Sequence, residues 1–162
     1  MITLILSTAR PEAGLKTLLN SLKKQTLEHS LIEFILVDKA YDQRKTNYLE
    51  IMKQFNSDFS GTMKYIKDTT PKGYVSISSA RNLGVEAATN NWIVSIDDRT
   101  ILYPDTLEKH HSYFEKGFDA IAGFSDFHHK DEFQISEPDK TDERYDVPGA
   151  GHGRFAGQHF YG

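Results

Sequence analysis

Two continuous apolar runs, each followed by a helical pattern, constrain the fold of this chain. Residues 2–6 read ITLIL and residues 31–38 read LIEFILVD. Such β-prone runs are typical of strands covered on both faces. Leucines at helical spacing follow the first run, from Glu12 to about Gln25, and the segment TNYLEIMKQF follows the second. Strand, helix, strand, helix predicts parallel pairing of the strands.

The same alternation continues along the first hundred residues. TMKYIKD predicts a shorter third strand, SSARNLGVEAAT a helix, and WIVSID a further central strand. The predicted fold class is therefore α/β, with an open, doubly wound, mostly parallel twisted sheet and helices on both faces.

The pattern is less regular after residue 103. Pro104 suits the first turn of a helix to about Gly117, with Leu107, His111 and Phe114 as its inner stripe. FDAIAGFSDF predicts another strand, whereas the charged, proline-bearing residues 128–149 predict a flexible hairpin or flap. Four histidines occur as adjacent pairs and are predicted to be solvated: His110, His111, His128 and His129.

Composition excludes several function classes. The chain has 162 residues, which suits one domain, and a formal charge of -4 with no concentrated basic face for nucleic acid. It has no cysteine, which rules out disulfides, thiolate metal sites and thiol catalysis. No apolar stretch approaches the ~20 residues that a membrane span needs. We expect a soluble, cytoplasmic protein.

Three polar loops follow the predicted strands: STAR, DKAYD and DDRT. The carboxyl ends of parallel strands meet at one edge of a sheet, where ligands bind in open α/β folds. Asp97 and Asp98 are adjacent like charges at a strand end, and a cation or a donor-rich ligand would relieve their repulsion. The alternative is that they only form a turn or cap a helix.

The order of STARPE, EFILVDKAYD, SSARNLGVEAA and NWIVSIDDRTILYPDTLEKH resembles the family 2 glycosyltransferases with the GT-A fold, over roughly residues 2–116. The resemblance implies transfer of a sugar from a nucleoside-diphosphate sugar, first a UDP-sugar, to a glycan or other hydroxyl acceptor, with inversion. It also implies a single GT-A-like domain over 1–162, with 1–116 as the nucleotide-sugar-binding half and 117–162 as a partial acceptor side.

The resemblance assigns nucleotide contacts residue by residue. Thr8 and Arg10 would lie beside the base and ribose, and Asp38 would accept the imide N–H of uracil. Arg81, in the first turn of a helix that Ser79 can cap, would bind a polar or anionic group. Lys39 stands where the family usually has a second acid, so uridine preference is open, and Lys39 would reach a phosphate or point to water.

The paired aspartates take the catalytic roles in this resemblance. Asp97 would lie near the ribose, and Asp98 would bind Mn²⁺ or Mg²⁺ bridging the two phosphates. Arg99 stands at the third position of the motif, so the alternative is that Arg99 neutralises the diphosphate without a metal. In the glycine-rich tail, His152 is a further candidate metal ligand, and His159 a similar candidate for metal or phosphate.

The catalytic base is not identified. Candidates for it are acids of the weakly patterned region: Asp126, Asp131, Glu132 and Asp146. The chain is interpreted either as a fragment of a longer enzyme or as a minimal version of one. A nucleotide-binding module without catalysis is the main alternative. A nucleotidyltransferase, an aspartate phosphatase and a receiver-like domain fit the loop sequences less well.

Overall fold

Four parallel strands form the sheet at the centre of the computed structural model, which describes residues 1–10, 14–71 and 77–121. They are β1 (Ile2–Thr8), β2 (Ile32–Asp38), β3 (Thr62–Lys67) and β4 (Ile93–Ile96), in the spatial order β3-β2-β1-β4. The predicted α/β class and parallel pairing are confirmed.

Three helices connect consecutive strands, and a fourth follows β4. They are α1 (Leu15–Leu22), α2 (Tyr41–Asn56), α3 (Ile77–Ala87) and α4 (Thr106–Glu115), with a short 3-10 turn at His29–Leu31. The predicted α1 was too long, since its described part begins at Leu15 and it ends at Leu22. The predicted α2 began too late, because the structure extends it back to Tyr41 and leaves only Lys39 and Ala40 between β2 and the helix.

The two sides of the sheet carry different helices. On one side, alternate strand residues such as Leu4, Leu6 and Phe34 pack against α1, α2 and α4. We call this side of the sheet the three-helix face. The other strand residues, including Ile5 and Ile35, lie on the opposite side, which we call the α3 face because α3 is the helix that covers it in the part of the chain that the structure describes. Because side chains alternate along a strand, each residue at a strand end is directed to one of these faces.

Gly84 allows α3 to lie very close to the sheet. A Cβ atom at this position would come within 2.5 Å of the Ile5 Cγ2 atom. The missing side chain at this position therefore lets α3 pack directly against β1.

A buried carboxylate, which the sequence analysis missed, holds the other end of α3. Glu33 is fully buried and accepts hydrogen bonds from Thr3 Oγ1 (2.6 Å) and the Thr89 amide (2.9 Å), and Lys64 Nζ lies 2.6 Å away. Lys64 also donates to the carbonyl of Ala87, the last residue of α3. Burial raises the pKa of Glu33, but the hydrogen bonds from Lys64 and Thr3 outweigh it and the pKa is lowered.

The histidine predictions for α4 were wrong. His110 is buried beside Leu107 and Phe114, so His110 belongs to the inner stripe and His111 does not. Burial lowers the pKa of His110. His111 lies beside the buried face of α4 and is partly exposed, with its Nδ1 3.5 Å from Glu115 Oε1.

Several sequence predictions lie outside the described residues. They are the flap at 128–149, His128, His129, the glycine-rich tail and most of the strand predicted from FDAIAGFSDF; its described part, 118–121, is not a strand. Among the described helices, none combines the length and apolar character needed to cross a membrane.

Candidate functional site

The strand register places the predicted site residues at one edge of the sheet. Thr8 and Asp38 are paired across β1 and β2, and Leu6 is paired with Ile96 of β4. Asp97 and Asp98 follow Ile96 directly, so they lie beside the end of β1. The carboxyl edge therefore brings together the loops that the sequence analysis singled out.

Asp98 is bound by Thr8, the last residue of β1, and by Arg10, which follows this strand. Thr8 Oγ1 donates to Asp98 Oδ2 at 2.9 Å, and Arg10 Nε lies 3.1 Å from Asp98 Oδ1. The Arg10 amide donates to Thr8 Oγ1 at 3.3 Å, and the Gly14 amide donates to the Asp98 carbonyl at 3.2 Å. The Asp98 side chain is only 10% exposed, whereas that of Arg10 is 54% exposed.

Asp97 is directed to a different partner. Its side chain is half exposed, and its Oδ1 lies 3.3 Å from Nη2 of Arg81 on α3. The two adjacent carboxylates are therefore each beside a separate guanidinium group, which offsets their mutual repulsion.

Arg81 also carries an unused donor. Its buried Nε has no hydrogen-bond partner among the described residues. The predicted cap at Ser79 is wrong, because α3 includes Ile77 and Ser79 lies inside the helix. Arg81 is accordingly in the second described turn rather than the first.

Asp38 lies on the three-helix face and is fully buried. Its carboxylate accepts hydrogen bonds from the Ala40 amide (2.8 Å), Tyr65 Oη (2.7 Å) and Arg44 Nε (3.1 Å), and it also pairs with Arg44 Nη2. Burial and the hydrogen bond to Asp38 raise the pKa of Tyr65. The predicted contact between Asp38 and uracil stays a prediction, and the structure places protein donors on both carboxylate oxygens.

Arg44 is a site residue that the sequence analysis missed. Its Nη1 donates to the carbonyl of Arg10, and its guanidinium lies 5.1 Å from the centre of the Tyr48 ring. Burial lowers the pKa of Arg44, but the hydrogen bond and charge of Asp38 outweigh it and the pKa is raised. Because α2 was predicted to start too late, Arg44 was assigned to a loop. In a loop, the sequence gives no periodicity that would indicate which way an arginine side chain points.

A small open cleft lies at the same edge, towards the α3 face. It is lined by Ser7, Thr8, Ala9, Lys39, Asp68, Ile77 and Ala80. Lys39 Nζ donates to the Thr70 carbonyl and lies 3.9 Å from Asp68 Oδ2. Lys39 therefore lines this cleft while its amino group is held by the segment after β3.

The donor set suits tight metal binding only with help from a ligand. The described residues hold no group of three or more side chains able to bind a metal ion, and His152 lies outside them. Among the described residues, each Asp98 oxygen has one hydrogen-bond or ion-pair partner, which leaves acceptor capacity on both. Mg²⁺ commonly binds one or two carboxylates together with substrate phosphates, so Asp98 fits a metal that a diphosphate completes.

Comparisons with solved structures show the same fold. S. aureus TarS in complex with UDP-GlcNAc is 21% identical, with a TM-score of 0.57 over 71% of this chain and 31% of that one. The mannosyltransferase PcManGT from Pyrobaculum calidifontis, in complex with GDP-Man and Mn²⁺, is 22% identical, with a TM-score of 0.53 over 65% and 30%. The chain thus spans about a third of the length of these neighbours.

The family comparison covers nearly the whole chain. No curated protein sequence matches it. The family model described as glycosyl transferase family 2 matches residues 3–160. Together with the parallel sheet, this match shows that the chain belongs to glycosyl transferase family 2.

Proposed function

We propose that this protein binds a nucleoside-diphosphate sugar at the carboxyl edge of its sheet and transfers the sugar to a hydroxyl acceptor. The observation that carries the proposal is the convergence of Thr8, Arg10, Arg81, Asp97 and Asp98 at one edge. Family membership supports glycosyl transfer in general. The ligands of the two structural neighbours, UDP-GlcNAc and GDP-Man, support the donor class by analogy.

The charges at this edge suit a diphosphate. Arg10 and Arg81 supply two guanidinium groups within a short stretch of surface, and guanidinium forks match phosphate oxygens. The buried Arg81 Nε has a hydrogen to donate and no described partner. A buried donor of this kind is costly unless a ligand oxygen completes it.

We propose that Asp98 binds Mn²⁺ or Mg²⁺ together with the donor phosphates. The bound metal would stabilise negative charge on the leaving diphosphate. Asp97, half exposed and beside Arg81, would contact the ribose. Thr8 would keep the Asp98 carboxylate oriented through its 2.9 Å hydrogen bond. A metal-free variant of the proposal uses the exposed Arg99 to neutralise the diphosphate.

The test is calorimetric titration with UDP, GDP, CDP and dTDP, each with and without Mn²⁺. We expect one nucleotide to bind tightly only with Mn²⁺, and this binding to be lost in Asp98→Asn. Asp58→Asn is the matched control, because exposed Asp58 follows α2 at the opposite edge of the sheet. Binding without any effect of Mn²⁺ would support the metal-free variant, and no binding of any nucleotide would refute the proposal.

Transfer is tested separately from binding. The nucleotide that binds would be supplied as its sugar conjugates, and release of the nucleoside diphosphate would be followed with a panel of hydroxyl acceptors. Release that depends on an acceptor and is lost in Asp98→Asn would establish transfer. Tight binding without release would support the alternative of a non-catalytic nucleotide-binding module.

A further inference from the structure

We propose that Asp38 and Arg44 form a buried anchor that positions the loop after β1, and that Arg44 is thereby a positioning residue for Arg10 and Asp98. In this arrangement Asp38 holds the Arg44 guanidinium in place. The inference rests on the proposed function, because it concerns the same nucleotide site.

The first argument is the saturation of the Asp38 carboxylate. A carboxylate has about four acceptor positions, and Asp38 receives hydrogens from the Ala40 amide, Tyr65 Oη and two nitrogens of Arg44. No part of Asp38 is exposed. The imide N–H of a uracil could reach this carboxylate only by displacing one of these donors from a buried site.

The second argument is where the third guanidinium nitrogen of Arg44 donates. Two nitrogens bind Asp38, and the third, Nη1, donates to the Arg10 carbonyl and also lies 3.4 Å from Tyr48 Oη. The planar fork thus joins the end of β2 to the loop after β1. Lysine has a single nitrogen and cannot make these contacts together.

The third argument is what this loop carries. The Arg10 amide donates to Thr8 Oγ1, and the Arg10 guanidinium pairs with Asp98. A continuous series of contacts therefore runs from Asp38 through Arg44 and Arg10 to Asp98. Two of its links, Arg44 with Arg10 and Arg10 with Asp98, join parts of the chain that are far apart in sequence, and Arg44 is the member that connects β2 with β1.

The anchor predicts a particular pattern of nucleotide affinities. If Arg44 positions Arg10 and Asp98, its replacement weakens the diphosphate part of the site, which all nucleoside diphosphates share. Affinity then falls by the same factor for every base. If Asp38 instead accepts a hydrogen from uracil, its replacement weakens UDP and leaves the other nucleotides unchanged.

The experiment compares wild type with Arg44→Lys, Asp38→Asn and Lys53→Gln. Arg44→Lys keeps the charge, and exposed Lys53 near the far end of α2 is the control for a lost positive charge. Each protein is titrated with UDP, GDP, CDP and dTDP in Mn²⁺, well below its unfolding temperature. We expect about a tenfold uniform loss for both anchor variants and none for the control. A loss confined to UDP in Asp38→Asn would overturn the inference.

A second measurement needs no nucleotide and separates this inference from the proposed function. NMR measures the hydrogen-exchange rate of the Arg10 amide, which donates to Thr8 Oγ1. We expect faster Arg10 exchange in Arg44→Lys, with unchanged exchange at Leu4 in the middle of β1. Unchanged Arg10 exchange would overturn the anchor even if nucleotides bind. If no nucleotide binds and Arg10 exchange still rises, the proposed function fails and the anchor remains.

Discussion

Arg10 forms an ion pair with Asp98, the carboxylate that we propose as the metal ligand. Removing the positive charge of Arg10 should therefore strengthen the binding of Mn²⁺ in the absence of nucleotide. The Arg10 Nε lies 3.1 Å from Asp98 Oδ1, and an incoming cation must either displace the guanidinium or bind beside it. The variant is Arg10→Gln, which keeps a polar side chain of moderate length without the charge.

The size of the effect follows from the cheaper of these two routes. Displacing a pair whose arginine is 54% exposed costs about 0.2–1 kcal/mol. Binding beside it places charges of +2 and +1 roughly 5 Å apart, which costs about 1.7 kcal/mol in water and about half of that at physiological salt. The cheaper route costs about 0.2–1 kcal/mol, so Arg10→Gln should tighten Mn²⁺ binding by up to about fivefold.

The assay is a titration with Mn²⁺ in which the free ion is followed by electron paramagnetic resonance, without nucleotide and at low salt. Lys53→Gln, which removes a distant positive charge, should leave the affinity unchanged. In the presence of the preferred nucleotide the sign should reverse, because Arg10 is then needed by the diphosphate. Equal or weaker binding of Mn²⁺ alone in Arg10→Gln would refute this reasoning about competition at Asp98.

Three further predictions concern stability, measured by urea denaturation. Gly84→Ala should destabilise the fold by about 1–2 kcal/mol, because overpacking against Ile5 exceeds the gain of about 1 kcal/mol in helix propensity. A more stable variant would contradict the close packing. Glu33→Gln should lower the free energy of unfolding by about 2 kcal/mol at pH 7. This difference from wild type should shrink below pH 4.5, where Glu33 takes up a proton in the unfolded state more readily than in the native state. A difference that stays constant with pH would contradict the lowered pKa. Stability of the wild type should fall below pH 6.5, because unfolded His110 binds a proton before the buried native side chain does, and His110→Leu should reduce this pH dependence.

The approximate positions of the elements followed from local sequence patterns. Apolar runs of strand length and leucines at helical spacing depend on neighbours within a few residues, so they can be read without the fold. The ends of α1 and α2 did not follow from these patterns. Tyr41 and Asp42 resembled a polar loop, yet they begin α2, because its first turn needs no apolar stripe.

The pairing of side chains at the site could not be read in this way. Thr8 and Asp98 are separated by 90 positions, and Asp38 and Tyr65 by 27. Nothing in a local pattern states which donor reaches which carboxylate. For the same reason, nothing near Glu33 in the sequence identifies Lys64 as the partner of this buried acid.

The sequence by itself determined a parallel α/β sheet with polar loops at its carboxyl edge, since strand and helix periodicities and the order of elements specify both. The tertiary structure decided what each polar residue does there. It divided Asp97 and Asp98 between Arg81 and Arg10, and it buried Asp38 against α2. The physical reason is that a charge's role depends on its burial and on partners brought close by folding, and both are properties of the packed chain.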